Sequence, residues 1–154
     1  MSKSKAERKS DREFVVSRII NGPARLVFEA WTKPELFQKW WIPKGAPMTI
    51  VSCEMDVRTG GTYRLGIKMG EQVMSFFGNY REVTPHSRLV WTNEEGGPEN
   101  AAITTATFDA QGEKTLVTVT DLYPSKKALD EAIASGSTDG MPVQLDQLDE
   151  FVNR

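Results

Sequence analysis

Between Met48 and Leu122 the sequence alternates apolar and polar residues in six short runs. Turn-forming residues separate the runs: Thr59-Gly60-Gly61, Gly70-Glu71, Thr84-Pro85-His86-Ser87, the loop Glu94 to Asn100, and Asp109-Ala110-Gln111-Gly112. A period of two over such lengths specifies strands with one buried face. Six strands in unbroken succession, joined by short turns, specify an antiparallel meander. TYRLGIKM shows the pattern cleanly, with Tyr63, Leu65, Ile67 and Met69 on one face. In the preceding run, Thr49, Val51, Cys53, Met55 and Val57 share a face on the same count.

A sheet of this kind needs its apolar face covered. The cover comes from outside the meander. After Leu122 the period changes to that of a helix. Ser125 is placed to cap KKALDEAIA, and Gly136 interrupts that helix. Asp139 is placed to cap a final helix with Pro142 in its first turn. In it Met141, Leu145, Leu148 and Val152 form one apolar stripe, with Asp146, Gln147, Asp149 and Glu150 mostly outside it. Upstream, EFVVSRII (13–20) reads as a strand, bringing the count to seven. Two short helices follow, 24–32 and 34–40, divided by Thr32-Lys33-Pro34. Residues 1–12 are polar and charged and read as a flexible tail before a single domain at 13–154. The expected fold is therefore α+β: a curved seven-stranded antiparallel sheet gripping a long C-terminal helix. Such a grip often leaves an apolar space between sheet and helix that admits a ligand.

The reactive residues narrow the function. One His and one Cys among 154 residues exclude a disulfide framework and a multi-histidine metal centre. No metal or cofactor is expected. His86 falls on a turn and Cys53 in an apolar alternation, so neither is placed for catalysis. No catalytic residue is assigned. The net charge of −2 gives no pull toward nucleic acid. No apolar run is long enough for a membrane span, and no secretory signal is visible, so the cytoplasm is the expected compartment.

The aromatic residues are the strongest chemical feature. Three of the four Trp lie within residues 31–41. Trp31, Trp40 and Trp41 read either as packing for the helix pair or as the wall of a binding cavity. The sheet adds Tyr63, Leu65, Phe77, Tyr80 and Trp91, and the last helix adds Met141, Leu145 and Leu148. Together these residues are the expected cavity lining. Arg18 shares a strand face with Phe14, Val16 and Ile20. Either that face looks outward, or the charge is paired or anchors an anionic ligand. Glu54 and Asp56 share a face and read as solvated.

Several stretches carry a family resemblance. They are Phe28-Glu29-Ala30-Trp31-Thr32-Lys33-Pro34 leading to Trp40-Trp41, Asp56-Val57-Arg58-Thr59-Gly60-Gly61-Thr62-Tyr63, Gly78-Asn79-Tyr80-Arg81-Glu82-Val83 with Pro85, Arg88-Leu89-Val90-Trp91-Thr92, and the Leu145/Leu148 pair. On these the chain resembles the START-like (SRPBCC) superfamily with its helix-grip fold. Within it, the chain is similar to the branch related to the C-terminal domain of the activator of the 90-kDa heat-shock protein ATPase (AHSA-type). The resemblance implies three alternatives. One is a non-enzymatic domain binding an apolar or amphipathic small molecule. Another is a module that contacts a heat-shock chaperone ATPase in a stress response. The third is a cyclase or dehydratase, for which Arg18, Tyr63 and Tyr80 are the conceivable polar groups. The resemblance also implies a homodimer. Relatives often open the final helix with Gly-Trp. Gly140-Met141 stands here instead, which would reshape that end of a pocket.

Overall fold

The computed structural model describes residues 4–95 and 97–153, with the backbone alone at Pro98. Gly96, within the expected loop, and residues 1–3 and 154 lie outside the described set. The order is β1 (Lys5–Arg8), β2 (Glu13–Ile20), α1 (Ala24–Thr32), α2 (Pro34–Phe37), β3 (Met48–Met55), β4 (Thr62–Met69), β5 (Gln72–Thr84), β6 (Arg88–Asn93), β7 (Ala102–Gln111), β8 (Lys114–Leu122), α3 (Lys126–Ser135) and α4 (Gly140–Val152). One antiparallel sheet runs β1-β2-β8-β7-β6-β5-β4-β3.

The sheet has eight strands, one more than the sequence pattern predicts. The extra strand comes from the expected tail. Lys5 to Arg8 pair with Ser17 to Phe14 on the open edge of β2. Their side chains are all exposed, so no apolar period marks them. Backbone hydrogen bonding to a free edge suffices to order them. Arg8 also meets Asp130 on α3 at 2.7 Å. That contact holds the Asp130 carboxyl below its ordinary range, with Lys126 adding to the effect.

A second difference lies in β3. The pairing with β4 shifts register between Ile50 and Ser52. A bulge moves every later residue to the other face. Val51 therefore points to solvent, while Met48, Ile50, Cys53 and Met55 pack on the core.

The helices pack on one face of the sheet, meeting β2, β8, β7 and β3. α1 buries Val27, Phe28, Ala30 and Trp31, and it ends where Lys33 turns extended before Pro34. α2 is a single turn, shorter than expected. Ser125 caps α3 by accepting from the Ala128 N–H, and Gly136 ends it at φ 84°. Asp139 precedes α4 without a side-chain capping bond. α4 packs on β2 and α1. Its 13 residues span about 20 Å at ~1.5 Å each. Eight strands at ~4.8 Å spacing span well over 30 Å. A helix of that length covers only part of the inner face, and α2 meets the far end of the sheet at β3.

Polar side chains fix α4 where it sits. Arg18 points inward and is 9% exposed. Its Nε donates to Asp146 at 2.8 Å, and its Nη1 lies 3.2 Å from Asp149. Gln147 donates to the carbonyls of Trp40 and Ile42 and accepts from the Lys44 N–H. Gln144 donates to the Trp41 carbonyl. The residues read as the outer face of this helix are thus its ties to β2 and the 40–44 loop.

Candidate ligand-binding site

Between the inner face of the sheet and the helices lies an open cavity of about 630 Å³. That is within the usual range for small-molecule pockets, roughly 300–1,000 Å³. One wall is the sheet. Phe14, Asp121, Thr104, Trp91 and Tyr80 follow one another across β2, β8, β7, β6 and β5 as paired residues. All five line the cavity. Tyr63, Leu65 and Ile67 of β4 and Phe76 of β5 continue that wall. The opposite wall is Trp31 of α1, Phe37 of α2, and Trp41 to Pro43 of the following loop. Ser137, Thr138 and the start of α4, with Met141 and Gln144, close one end.

Of the residues expected here, Trp31, Trp41, Tyr63, Leu65, Tyr80, Trp91 and Met141 border the space. Trp40, Phe77, Leu145, Leu148 and Arg18 do not. Trp40 is 1% exposed, and its indole N–H donates to the Ala30 carbonyl at 3.0 Å. It is a packing residue. Its neighbour Trp41 borders the cavity, with its ring set edge-on to that of Trp40 at 5.5 Å. Phe77 pairs with Arg64 on the outer face, with the guanidinium carbon 4.8 Å from the ring centroid. Tyr80, three residues on, has the opposite parity, so Phe76 is the residue that faces in. Leu145 and Leu148 are wholly buried. Arg18 is held by two carboxylates of α4, away from the cavity. The three polar groups conceived for a cyclase or dehydratase therefore do not converge.

A polar chain crosses one end of the cavity. The Tyr63 hydroxyl donates to the Thr92 carbonyl at 2.7 Å and reaches the Asn93 amide oxygen at 3.3 Å. It does so across β5 at Gly78, where a Cβ would sit 1.9 Å from the same carbonyl oxygen. The Asn93 amide donates to Thr104 at 2.8 Å, and the Thr104 hydroxyl donates to Asp121. Burial pushes the Asp121 carboxyl above its ordinary range, partly offset by the Thr104 bond. Burial also raises the Tyr63 and Tyr80 hydroxyls, so both stay protonated. Tyr123, beside Asp121, is pushed up to about 12. Trp31, 3% exposed, has an indole N–H with no hydrogen-bond partner among the described residues.

Asp121, Thr104, Asn93 and Phe76 were not expected in the lining. For Asp121 a signal existed. It shares parity with Thr115, Val117 and Val119, so it is an acid on the core face of an otherwise apolar alternation. Cys53 packs against Met55 at 3.5 Å, and burial raises its thiol. His86 has φ 67° and sets its ring edge-on to Phe28 at 5.6 Å. Among the described residues no group of three or more His, Cys, Asp or Glu is placed to hold a metal ion. No described helix is long and apolar enough to cross a membrane.

The family profile of the activator of Hsp90 ATPase homolog 1-like protein matches residues 21–153. The chain belongs to this family. Solved structures share the fold. A protein from Nitrosomonas europaea superposes with a TM-score of 0.82 at 23% identity, covering 96% of this chain and 97% of that one. One from Rhodobacter sphaeroides gives 0.87 at 17% identity, covering 97% of each. The AHSA1-like protein from Aeromonas hydrophila gives 0.69 at 19% identity, covering 90% of this chain and 92% of that one. These likenesses show a shared fold, the expected α+β grip of a curved antiparallel sheet on a C-terminal helix. A search of curated proteins finds no match.

Proposed function

We propose that this family member is a non-catalytic carrier or sensor that binds one apolar or amphipathic small molecule in the cavity between sheet and helices. The supporting observation is the open, mainly apolar cavity of about 630 Å³, walled by Trp31, Trp41, Tyr63, Tyr80 and Trp91. Aromatic faces provide large contact area with few rotatable bonds, which suits a pre-formed site. The test is titration with the fluorophore N-phenyl-1-naphthylamine, then displacement by fatty acids, isoprenoid alcohols and polycyclic aromatics. Saturable one-to-one binding, weakened by Trp91→Ala, is the expected result. Absence of saturable binding for every probe in the micromolar range would rule the proposal out.

The family description favours a second reading, a module that acts on a Hsp90-type chaperone. Under it, the purified protein raises the ATPase rate of the host's own chaperone. An unchanged rate together with no co-purification would remove that reading.

A further inference from the structure

The charged side chains around the cavity are of one sign. Asp121 and Glu95 line it, and among the described residues no Lys, Arg or His does. Asp121 sits deepest, on β8, between Phe14 on one neighbouring strand and Thr104 on the other. One of its oxygens accepts from the Thr104 hydroxyl. Among the described residues no cationic side chain pairs with it. A carboxylate in an apolar enclosure without a counter-charge is costly, and proteins ordinarily supply a cation or a hydrogen-bond donor. In the same molecule Arg18 shows the usual solution, with two carboxylates answering one buried guanidinium. Among the described residues Asp121 has no such answer.

The surroundings add a second constraint. Phe14 and Trp91 flank the Asp121–Thr104 pair in the same cross-strand row, and Tyr123 stands beside it. Ring faces next to a carboxylate are the surroundings a protonated amine favours, combining an ion pair with cation–π attraction. An anionic ligand meets the opposite, since among the described lining residues there are two acids and no base.

The geometry points to a ligand that carries a protonated amine on an apolar or aromatic body, the ammonium placed against Asp121 and the body along the Trp91–Tyr80 wall. This rests on the cavity being a ligand site, and it narrows the class from apolar molecules in general to cationic amphiphiles.

The test uses three probes of one shape: 4-phenylbutylamine, 4-phenylbutanol and 4-phenylbutanoic acid, each titrated calorimetrically into the intact protein at neutral pH. The amine is expected to bind at least tenfold tighter than the alcohol, and the acid more weakly than both. In Asp121→Asn the ratio of amine to alcohol affinity is expected to fall to near one. If that variant does not fold, the wild-type protein labelled with ¹³C answers the question. The Asp121 carboxyl resonance is expected to move on adding the amine and to stay on adding the alcohol. Alcohol binding without an amine preference, or a preference that survives in Asp121→Asn, would overturn the inference and leave the cavity reading standing. No binding by any of the three, alongside failure of the fluorophore titration, would overturn both.

Discussion

Asp121 stands in a strand that otherwise presents Thr115, Val117 and Val119 to the interior. An unfolded Asp ionises near pH ~3.9. In the folded protein burial shifts that ionisation to higher pH. Between the two values the unfolded chain has lost its proton while the folded chain has kept it. Rising pH through that window therefore favours unfolding, and the stability that proton binding supplies is fully present only below it. Tyr63, Tyr123 and Glu95 are titratable groups at that end of the cavity, and all three are raised by burial as well. Asp121→Asn is expected to raise the melting temperature at pH 7 by ~3 °C, the size of roughly 1 kcal/mol in a domain of this length. The gain should shrink toward pH 4, measured by circular dichroism in the absence of ligand. Trp40 makes the contrasting case. Trp40→Ala is expected to cost about 3–5 kcal/mol in urea unfolding, because it empties a filled site and leaves the Ala30 carbonyl without its donor.

At the scale of elements, polar contacts decide where α4 lies. Arg18→Ala removes the cation between Asp146 and Asp149 and leaves both carboxylates crowded at the sheet. The expected loss is about 2–4 kcal/mol, read from urea midpoints, with double-mutant cycles against Asp146→Ala separating the pair from the rest. Gln147→Ala releases three backbone groups of the 40–44 loop at once. Hydrogen exchange is expected to speed up at Lys44, whose amide loses its acceptor, while β7 and β8 amides keep their protection. The sequence left a paired Arg18 open but named no partner for it, and it read Gln147 as lying outside the apolar stripe. An apolar stripe reports which side of a helix is buried, but a polar residue at its margin looks the same whether it meets water or a backbone carbonyl. The same holds for β1. Its exposed residues carry no period, and only the open edge of β2 gives them a partner.

At the scale of the whole molecule, one short final helix against eight strands is what leaves a cavity. A ligand that binds only the folded state stabilises it by about 2.7 kcal/mol at one hundred times its dissociation constant. A cavity ligand is thus expected to raise the melting temperature in proportion to the logarithm of its concentration. Ala102→Phe, which places a ring in the space from β7, is expected to weaken that response at least tenfold. A thermal-shift series with N-phenyl-1-naphthylamine checks both.

Period and turn chemistry alone determined the six-strand meander, the preceding strand, the two short helices and the helical end. These are local properties, written in which residues alternate and where Gly and Pro interrupt. They also determined most of the aromatic wall, because Tyr63, Leu65 and Trp91 lie on strands without a bulge before them. What the tertiary structure decided was parity and partnership. The bulge at Ile50/Ser52 turned Val51 out, and the choice between Phe76 and Phe77 fell on which face Leu65 meets across the strands. Arg18 found a carboxylate on a helix 128 residues away, while among the described residues no cationic side chain pairs with Asp121. Charge compensation acts across space rather than along the chain. Only the folded molecule shows which side chains answer a buried charge.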